Sequence, residues 1–253
     1  MDIYLIFLWA MIGVAVIVFV ALYFIDAGYG MFTTKKWGLS INNKLGWMLM
    51  EAPVAILLFL FWVFSDRKTM LIPFIFLLFM EIHYIQRAFI FPFLMKGKNK
   101  MPLSILFMAF FFNIANAFMQ GYWLFYYSPL TMYTNAWLQT PQFIIGSCLF
   151  FLGFIINIDS DRRIRNLRKP GDSKHYLPHG GMFNYVTSAN YFGELVEWTG
   201  FAIATWSFPG LVFVIWTFAN LVPRANGIYK KYCQEFGEEM KGKKLKRIIP
   251  FIY

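Results

Sequence analysis

Three polar side chains with helical spacing interrupt an apolar segment in the C-terminal half of the chain. Asn190, Glu194 and Glu197 fall at i, i+4 and i+7, so they would share one face of a helix. An arginine-rich stretch and a His-Gly-Gly turn at 179–181 come just before them. Arginine binds phosphate through paired hydrogen bonds, whereas asparagine and carboxylate groups suit hydroxyls and amides. These residues therefore indicate a site for a phosphorylated, amide-bearing cofactor.

A second pair of residues could polarise a carbonyl group. Glu51 lies in the second apolar segment of the chain, and Tyr84 lies in the third. A carboxyl group buried in an apolar pocket can stay protonated at neutral pH. With a tyrosine hydroxyl it would then offer two donors to one carbonyl oxygen, the arrangement that stabilises a developing enolate in ketosteroid isomerase. Glu51 and Tyr84 are therefore candidate catalytic residues.

Other ionisable residues in the apolar segments have structural as well as functional interpretations. A charged residue within a membrane helix costs about 3 kcal/mol on insertion scales and usually faces the interior of the bundle. Arg87 could pair with Glu51 or Glu81 as a structural contact. His83 fits a hydrogen-bonded core histidine better than a ligand. No group of residues has the spacing of a metal site, so no metal is expected.

The fourth apolar segment carries a row of amides. Asn113, Asn116 and Gln120 fall at i, i+3 and i+7, which places them on one helix face. They would either line a cavity or seal a contact between helices. We take Asn116 and Gln120, together with Glu197, as candidate residues of a substrate pocket.

The composition identifies an integral membrane protein. The chain has 253 residues, of which 59% are hydrophobic and only 14% are charged, whereas a soluble domain carries about 25% charged residues. About 20 consecutive apolar residues cross a bilayer core. We therefore expect an all-α fold with seven transmembrane helices, at about 3–25, 44–64, 70–95, 102–125, 140–158, 188–206 and 209–223.

The distribution of positive charge predicts how these helices are oriented. Groups of three, three, six and eight lysine or arginine residues fall in the first, third and fifth loops and the C-terminal tail. The opposite side has only Arg67 and Lys68. Cytosolic loops are enriched in these residues, so the N-terminus is expected outside and the C-terminus in the cytosol. The net charge of +10 is explained in this way without a nucleic-acid partner.

The basic region predicts a helix that continues past the membrane. Asn157, Asp161, Arg165 and Arg168 recur at helical spacing after the fifth span, and Lys169-Pro170-Gly171 would end the helix. The tail from Arg224 has the pattern of a separate amphipathic surface helix. Neither a Rossmann nor a P-loop fingerprint occurs, and no linker divides the chain, so a single domain is expected over 1–253.

These residues resemble the steroid 5α-reductases, also called the 3-oxo-5α-steroid 4-dehydrogenases. The similarity is dense over about 50 residues and is carried by NIDSD, RNLRKPG and PHGGMFNYVTSANYFGELVEWTGFAIATWS, with Arg224 and the terminal IIPFIY. It extends upstream through GYG at 28–30, Glu51-Ala-Pro, His83-Tyr84-x-x-Arg87 and Gln120-Gly121-Tyr122. The chain departs from the animal pattern at Asp159 and Ile228, where those relatives have histidine, and at KHY before Leu177, which puts the details of phosphate binding in doubt.

The resemblance implies a seven-helix enzyme that uses NADPH to reduce the Δ4 double bond of a 3-oxo steroid. Residues 1–125 would form the substrate and carbonyl-binding half, and 140–253 the NADPH-binding half. Hydride would pass to C5 and a proton to C4, while Glu51 and Tyr84 bind the C3 carbonyl. The matching cofactor residues are Asn157, Asp161, Arg168, Asn190, Glu194, Arg224 and Tyr232, with Tyr29 and Arg87 near the cofactor.

Several alternatives share parts of this pattern. Membrane reductases of trans-2-enoyl thioesters also need carbonyl activation, whereas polyprenol reductases would not need Glu51. Isoprenylcysteine methyltransferases have a His-Pro-x-Tyr motif that is missing here, and a sterol carrier would not need Asn190, Glu194 and Arg168. The expected partners are a steroid-like lipid and the bilayer, with the protein as a monomer. A bacterial inner membrane is favoured by the short loops, with the endoplasmic reticulum as the alternative.

Overall fold

The computed structural model of the protein describes residues 2–25, 28, 32, 37–97, 99–169 and 174–253. Within these ranges the chain is mainly helical. The α-helices are α1 (Ile3–Phe24), α2 (Asn43–Val63), α3 (Leu71–Ile85), α4 (Phe91–Leu94), α5 (Leu103–Tyr122), α6 (Pro141–Asn166), α7 (Ala189–Thr205), α8 (Phe208–Glu235) and α9 (Gly237–Met240).

Short irregular helices and one strand pair complete the described fold. π-Helical segments follow α3 at Gln86–Ile90 and α5 at Trp123–Tyr127, and 3₁₀ turns occupy Asn135–Gln139 and Gly181–Asn184. Two strands, β1 (Ser40–Asn42) and β2 (Lys100–Pro102), pair antiparallel, with Ser40 opposite Pro102. This pairing brings together the first and third loops, which the charge pattern assigns to the same side of the membrane.

Six helices in the described part of the chain are long and apolar enough to cross a membrane. They are Ile3–Phe24, Asn43–Val63, Leu71–Leu94, Leu103–Tyr127, Pro141–Asn166 and Phe208–Glu235. The expectation of an all-α membrane protein is confirmed at this level. The other predicted span, 188–206, corresponds to α7, which has 17 residues. A helix of that length rises about 26 Å, somewhat less than the roughly 30 Å of a bilayer core.

The last long helix corrects one expectation. Instead of a span at 209–223 and a separate surface helix from Arg224, the chain forms the single helix α8 from Phe208 to Glu235. Pro223 lies inside it, where proline removes one backbone hydrogen bond and normally kinks or breaks a helix. Val222 and Ala225, on either side of this proline, are both buried against Ile248. Packing that continues through the proline offsets the missing hydrogen bond.

Helix α6 extends into the basic region as predicted, but it ends earlier. Its last residue is Asn166, three residues before Lys169. Pro170 and Gly171 lie outside the described residues, so their predicted role in ending the helix stays a prediction.

Glycines bring α6 and α7 into near backbone contact. Gly146 and Gly153 on α6, and Gly193 and Gly200 on α7, are each seven residues apart. A Cβ atom at any of the four would overlap the backbone of the facing helix. Residues on these two helices therefore share one narrow seam, which determines the position of the polar groups at the end of the seam near Asn157 and Gly193.

The remaining helices pack around this pair. Helix α8 contacts both α7 and α1, while α2 packs against α5 and α3. Aromatic side chains fill the centre: Phe76, Phe150 and Phe201 are each at most 1% exposed. Phe79 stacks on Phe150 across the contact between α3 and α6, with ring centroids 4.7 Å apart. This core leaves polar side chains facing a cavity near the ends of α2, α3, α6, α7 and α8.

Candidate active site

A cavity of about 240 Å³ lies between the two halves of the chain. Its apolar wall includes Trp198, Phe213 and Trp216, and its other walls carry an unusual number of ionisable and amide groups for a membrane interior. These ionisable and amide lining residues are Glu51, His83, Tyr84, Arg87, Asn113, Asp161, Asn190, Tyr191, Glu194, Asn220 and Arg224. The combination suits a ligand with a large apolar surface and a few polar groups.

Glu51 reaches this cavity from the third turn of α2. The helix begins after Asn42, whose side chain accepts a hydrogen bond from the Lys44 backbone nitrogen and so caps it. Asn113 Nδ2 donates to Glu51 Oε2 at 3.2 Å and to the Met50 carbonyl oxygen at 2.6 Å. Helix α5 therefore holds the carboxyl group at the cavity wall.

Tyr84 lines the same cavity from the last turn of α3 and is 3% exposed. Asn116 Nδ2 donates to its hydroxyl oxygen at 3.0 Å. Gln120 Nε2 in turn lies 3.4 Å from Asn116 Oδ1 and 3.0 Å from the Pro209 carbonyl oxygen. The predicted row of amides on α5 therefore seals a helix contact and supports both Glu51 and Tyr84.

Arg87 pairs with two carboxylates on α6 and α7, and not with the carboxylates on α2 and α3 considered from the sequence. Its Nη1 lies 2.8 Å from Asp161 Oδ2 and its Nη2 lies 3.4 Å from Glu194 Oε1. The expected pairing with Glu51 or Glu81 is therefore wrong. The π-helical turn that contains Arg87 precedes Pro92, which has no N–H to donate to the Ala88 carbonyl, so the regular register is interrupted. The guanidinium group also lies 4.7 Å from the ring centroids of both Trp47 and Phe91.

Helices α6 and α7 contribute an amide and carboxylate network beside Arg87. Asn190 Nδ2 donates to Asp161 Oδ1 at 3.2 Å. Asn157 Nδ2 donates to Glu194 Oε1 at 3.2 Å and to the Asn190 carbonyl oxygen at 3.1 Å. Asn157 is fully buried behind the cavity, whereas Asp161, Asn190 and Glu194 line it. Two of the three residues that shared the predicted face of α7, Asn190 and Glu194, thus form one side of the site.

His83 and Glu197 form a buried pair behind this network. His83 Nδ1 lies 2.8 Å from Glu197 Oε1, and the imidazole ring packs on Trp198 with a centroid distance of 4.5 Å. The interpretation of His83 as a hydrogen-bonded core histidine is confirmed. Glu197 was expected at the substrate pocket together with Asn116 and Gln120. None of these three lines the cavity. Asn116 lies one layer behind Tyr84 and Glu197 one layer behind His83, whereas Gln120 lies behind Asn116.

A second cavity of about 200 Å³ adjoins the first. Trp47, Phe91 and Asp161 line both cavities, and Arg165 and Arg168 line only the second. A smaller hollow of about 30 Å³ follows, and Arg168 and Tyr232 are part of its wall. The polar site therefore continues along α6 toward a cationic end, which is the arrangement that an extended, phosphorylated cofactor requires.

The basic cluster divides into two groups with different surroundings. Arg162 and Arg163 pair with Asp159, at 2.8 and 2.6 Å. Arg163 also lies against the turn at Gly180 and Gly181, whose φ angles of 78° and 53° favour glycine. Arg163 therefore braces this loop and Arg162 remains on the surface beside Asp159, whereas Arg165 and Arg168 reach a cavity.

The other predicted cofactor residues are near the same space. Arg224 lines the first cavity, and its Nη2 donates to the Tyr191 hydroxyl at 2.9 Å while Nη1 donates to Asn220 Oδ1 at 3.1 Å. Tyr191 and Asn220 were missed at the sequence level, although Asn220 lies one helical turn before Arg224. Tyr29 falls outside the described residues. Across the described ranges, no group of three histidine, cysteine or acidic residues could hold a metal ion.

Helices long and apolar enough to cross a membrane, packed around a cavity with convergent polar groups, define a multi-pass membrane protein with a candidate ligand site. The family described as "3-oxo-5-alpha-steroid 4-dehydrogenase" matches residues 99–253. The chain belongs to this family of oxidoreductases. The resemblance derived from its motifs is thereby confirmed.

Curated relatives match nearly the whole chain. "3-oxo-5-alpha-steroid 4-dehydrogenase 1" from Bos taurus is 36% identical over 244 residues, which cover 95% of this chain and 93% of the relative. The Homo sapiens protein of the same name is 39% identical over 227 residues, covering 89% and 86%. "Steroid 5-alpha-reductase DET2" from Arabidopsis thaliana is 37% identical over 242 residues, covering 92% and 90%.

Proposed function

We propose that the protein reduces the Δ4 double bond of 3-oxo-Δ4 steroids with NADPH. The observation that carries this proposal is the shared cavity: Glu51 and Tyr84 line it beside an apolar wall, and Asp161, Asn190 and Glu194 line its other side. A flat lipid ketone fits the first part, and a polar cofactor fits the second. The names of the curated relatives support the same reaction.

The donor set fits the cofactor that the family implies. Arg165 and Arg168 would bind phosphate groups, which suit arginine's planar pairs of donors. Asp161, Asn190 and Glu194 would bind amide and hydroxyl groups, and Arg87 keeps the two carboxylates in place. We propose cofactor contacts for Arg224 and Tyr232 as well, and Tyr29 is proposed on the resemblance alone. Asn157, buried behind the cavity, would serve cofactor binding through its hydrogen bond to Glu194. NADPH would supply a hydride.

The residues of the first half would act on the steroid carbonyl. When a hydride is added to C5, the electron pair of the C4–C5 double bond moves toward the C3 oxygen and forms an enolate. Tyr84 and protonated Glu51 would each donate a hydrogen bond to that oxygen, and C4 then accepts a proton to complete the reduction. Each preorganised donor of this kind typically contributes about 2.7–4 kcal/mol to transition-state stabilisation.

We also propose how the molecule is placed in the membrane. Helix α7 would be the seventh span, with the N-terminus outside and the C-terminus in the cytosol, as the charge distribution predicts. Residues 1–125 would bind the steroid and 140–253 would bind NADPH, with Arg87 linking the two halves through Asp161 and Glu194. A monomer would suffice because one chain contributes every residue of the proposed site. The host would be a bacterial inner membrane or the endoplasmic reticulum.

The proposal is tested with the full chain purified in detergent. NADPH oxidation is followed with testosterone or progesterone, and with a trans-2-enoyl thioester and a polyprenol as competing acceptors. S-Adenosylmethionine with a prenylated cysteine tests the methyltransferase alternative. We expect NADPH consumption with the steroids and loss of their enone absorbance. Turnover with the thioester alone would assign the site to an enoyl reductase, and no NADPH turnover with any acceptor would refute the reductase function.

A further inference from the structure

We propose that Asn113 and Asn116 on α5 are positioning residues that determine where Glu51 and Tyr84 direct their hydrogen-bonding protons. The proposal rests on the carbonyl-binding function proposed above and adds the residues that prepare it. Asn113 is 5% exposed and Asn116 is fully buried. Buried side-chain amides are normally fully hydrogen-bonded. The donor and the acceptor of each bond here can therefore be assigned from the chemistry of its partner.

The bond to Glu51 has a defined direction. Asn113 Nδ2 lies 2.6 Å from the Met50 carbonyl oxygen, which can only accept, so this atom must be the amide nitrogen. The same nitrogen lies 3.2 Å from Glu51 Oε2. Glu51 Oε2 is therefore an acceptor, and the proton of the neutral carboxyl belongs on Oε1. That leaves Oε1 as the donor for a substrate oxygen.

The bond to Tyr84 is oriented through a longer chain. Gln120 Nε2 donates to the Pro209 carbonyl oxygen at 3.0 Å, which identifies this atom as nitrogen. It also faces Asn116 Oδ1 at 3.4 Å, so the other end of the Asn116 amide donates to the Tyr84 oxygen at 3.0 Å. Tyr84 accepts from Asn116 and keeps its own proton for a group in the cavity.

Both amides thus act in the same sense. Asn116 places an N–H on the Tyr84 oxygen, which would gain negative charge when its own proton is shared with an enolate. Asn113 places an N–H on Glu51 Oε2, which would gain charge by resonance when the proton on Oε1 is shared. Hydrogen bonds in a low-dielectric interior strengthen one another along such a chain. Asn113 and Asn116 would therefore stabilise the transition state more than the bound substrate by acting through Glu51 and Tyr84, Asn113 from the cavity wall and Asn116 from the layer behind it.

Two substitutions of Asn116 separate proton direction from packing. Asn116→Asp keeps the shape but replaces the donor with an acceptor, which would turn the Tyr84 proton away from the cavity. We expect a kcat loss of more than about 100-fold, as for the removal of one oxyanion donor. Asn116→Ala removes the donor but leaves the tyrosine proton available, so we expect a smaller loss of about tenfold. The KM for NADPH should stay the same in both variants.

A spectroscopic readout reports the bond itself. With 3-¹³C-labelled testosterone bound, the carbonyl infrared band should lie at low frequency in the wild type and move to higher frequency in Asn116→Asp. Asn135 is exposed and outside the site, so Asn135→Asp is the matched control and should change neither kcat nor the band. Equal kcat losses in Asn116→Ala and Asn116→Asp with an unshifted band would overturn the proposal.

A second variant covers the case in which Asn116→Asp does not fold. Gln120→Met removes the donor that orients the Asn116 amide while Asn116 itself stays in place. We expect a kcat loss of about fivefold, the effect of one ordinary hydrogen bond, and a partial band shift. Unchanged kcat and an unchanged band would contradict the proposal.

The outcomes also distinguish this proposal from the proposed function. If Glu51→Gln and Tyr84→Phe both retain near-normal turnover, the carbonyl-binding function itself fails. If those two variants lose activity while Asn116→Asp keeps it, only the positioning role is wrong.

Discussion

Replacing Arg87 with methionine should strongly destabilise the protein, because this guanidinium compensates two buried carboxylates. Its contacts to Asp161 and Glu194 measure 2.8 and 3.4 Å, and its side chain is 9% exposed. Breaking a buried ion pair by removing one partner costs about 3–5 kcal/mol. Losing the cation–π contacts to Trp47 and Phe91 adds about 0.5–1 kcal/mol. We therefore expect a loss of about 4–6 kcal/mol.

The assay is thermal unfolding of the full chain in detergent. For a chain of this size, each kcal/mol corresponds to a Tm change of about 2–4 °C, so Arg87→Met should lower the Tm by roughly 10–20 °C. The double variant Arg87→Met with Asp161→Asn removes the closer of the two carboxylates. It should recover about 2 kcal/mol of this loss, because the ion-pair contribution of about 3–5 kcal/mol is shared between Asp161 and Glu194.

A surface ion pair provides the control for this prediction. Arg162 pairs with Asp159 at 2.8 Å, but its side chain is 58% exposed. Such pairs contribute about 0–1 kcal/mol, so Arg162→Met should leave the Tm within about 4 °C of the wild type. If Arg87→Met lowered the Tm no more than Arg162→Met does, Arg87 would not be needed to offset the cost of burying Asp161 and Glu194.

Four further variants test the carbonyl-binding, cofactor-binding and helix-packing roles. Glu51→Gln and Tyr84→Phe should each lower kcat by about 10²–10³-fold, while NADPH still quenches tryptophan fluorescence; normal kcat in both contradicts the carbonyl role. Arg168→Ala should raise the KM for NADPH about tenfold or more through loss of a phosphate contact, with kcat retained; an unchanged KM excludes that contact. Gly153→Ala should lower stability by about 1–3 kcal/mol through overpacking against Glu197, and an unchanged unfolding midpoint would show that the seam can widen.

Local periodicity was sufficient to predict one side of the site. Asn190 and Glu194 share a face of α7 because of their helical spacing, and the structure places both on the cavity. Glu51 and Tyr84 were paired by residue type and by family resemblance, because no local pattern relates residues on two different helices. The structure adds the observation that one helix, α5, contacts both of them.

Other features depend on tertiary packing and could not be predicted from spacing. The partners of Arg87 lie on α6 and α7, far along the chain, and the π-helical turn changes the direction of its side chain. The close approach of α6 and α7 depends on four glycines whose significance appears only when the two helices are paired. Likewise, helix α8 continues through Pro223 because residues on both sides of the proline are buried in the fold. That burial depends on tertiary packing.

The substrate-pocket prediction shows a similar limit. Polar residues on an apolar helix were correctly expected to face the interior of the bundle, but periodicity does not reveal which layer they occupy. Asn116, Gln120 and Glu197 form hydrogen bonds to residues at the cavity, or to groups beside it, without lining it themselves.

The central claim is that one cavity places the hydride of NADPH against C5 of a steroid whose C3 carbonyl is held by Glu51 and Tyr84. It is tested most directly with NADPH deuterated at the transferred position of the nicotinamide and with progesterone as the acceptor. Mass spectrometry and NMR of the product should show one deuterium, located at C5, with both carbonyl groups intact. Deuterium at a carbinol carbon, or a reduced product without deuterium, would contradict the account.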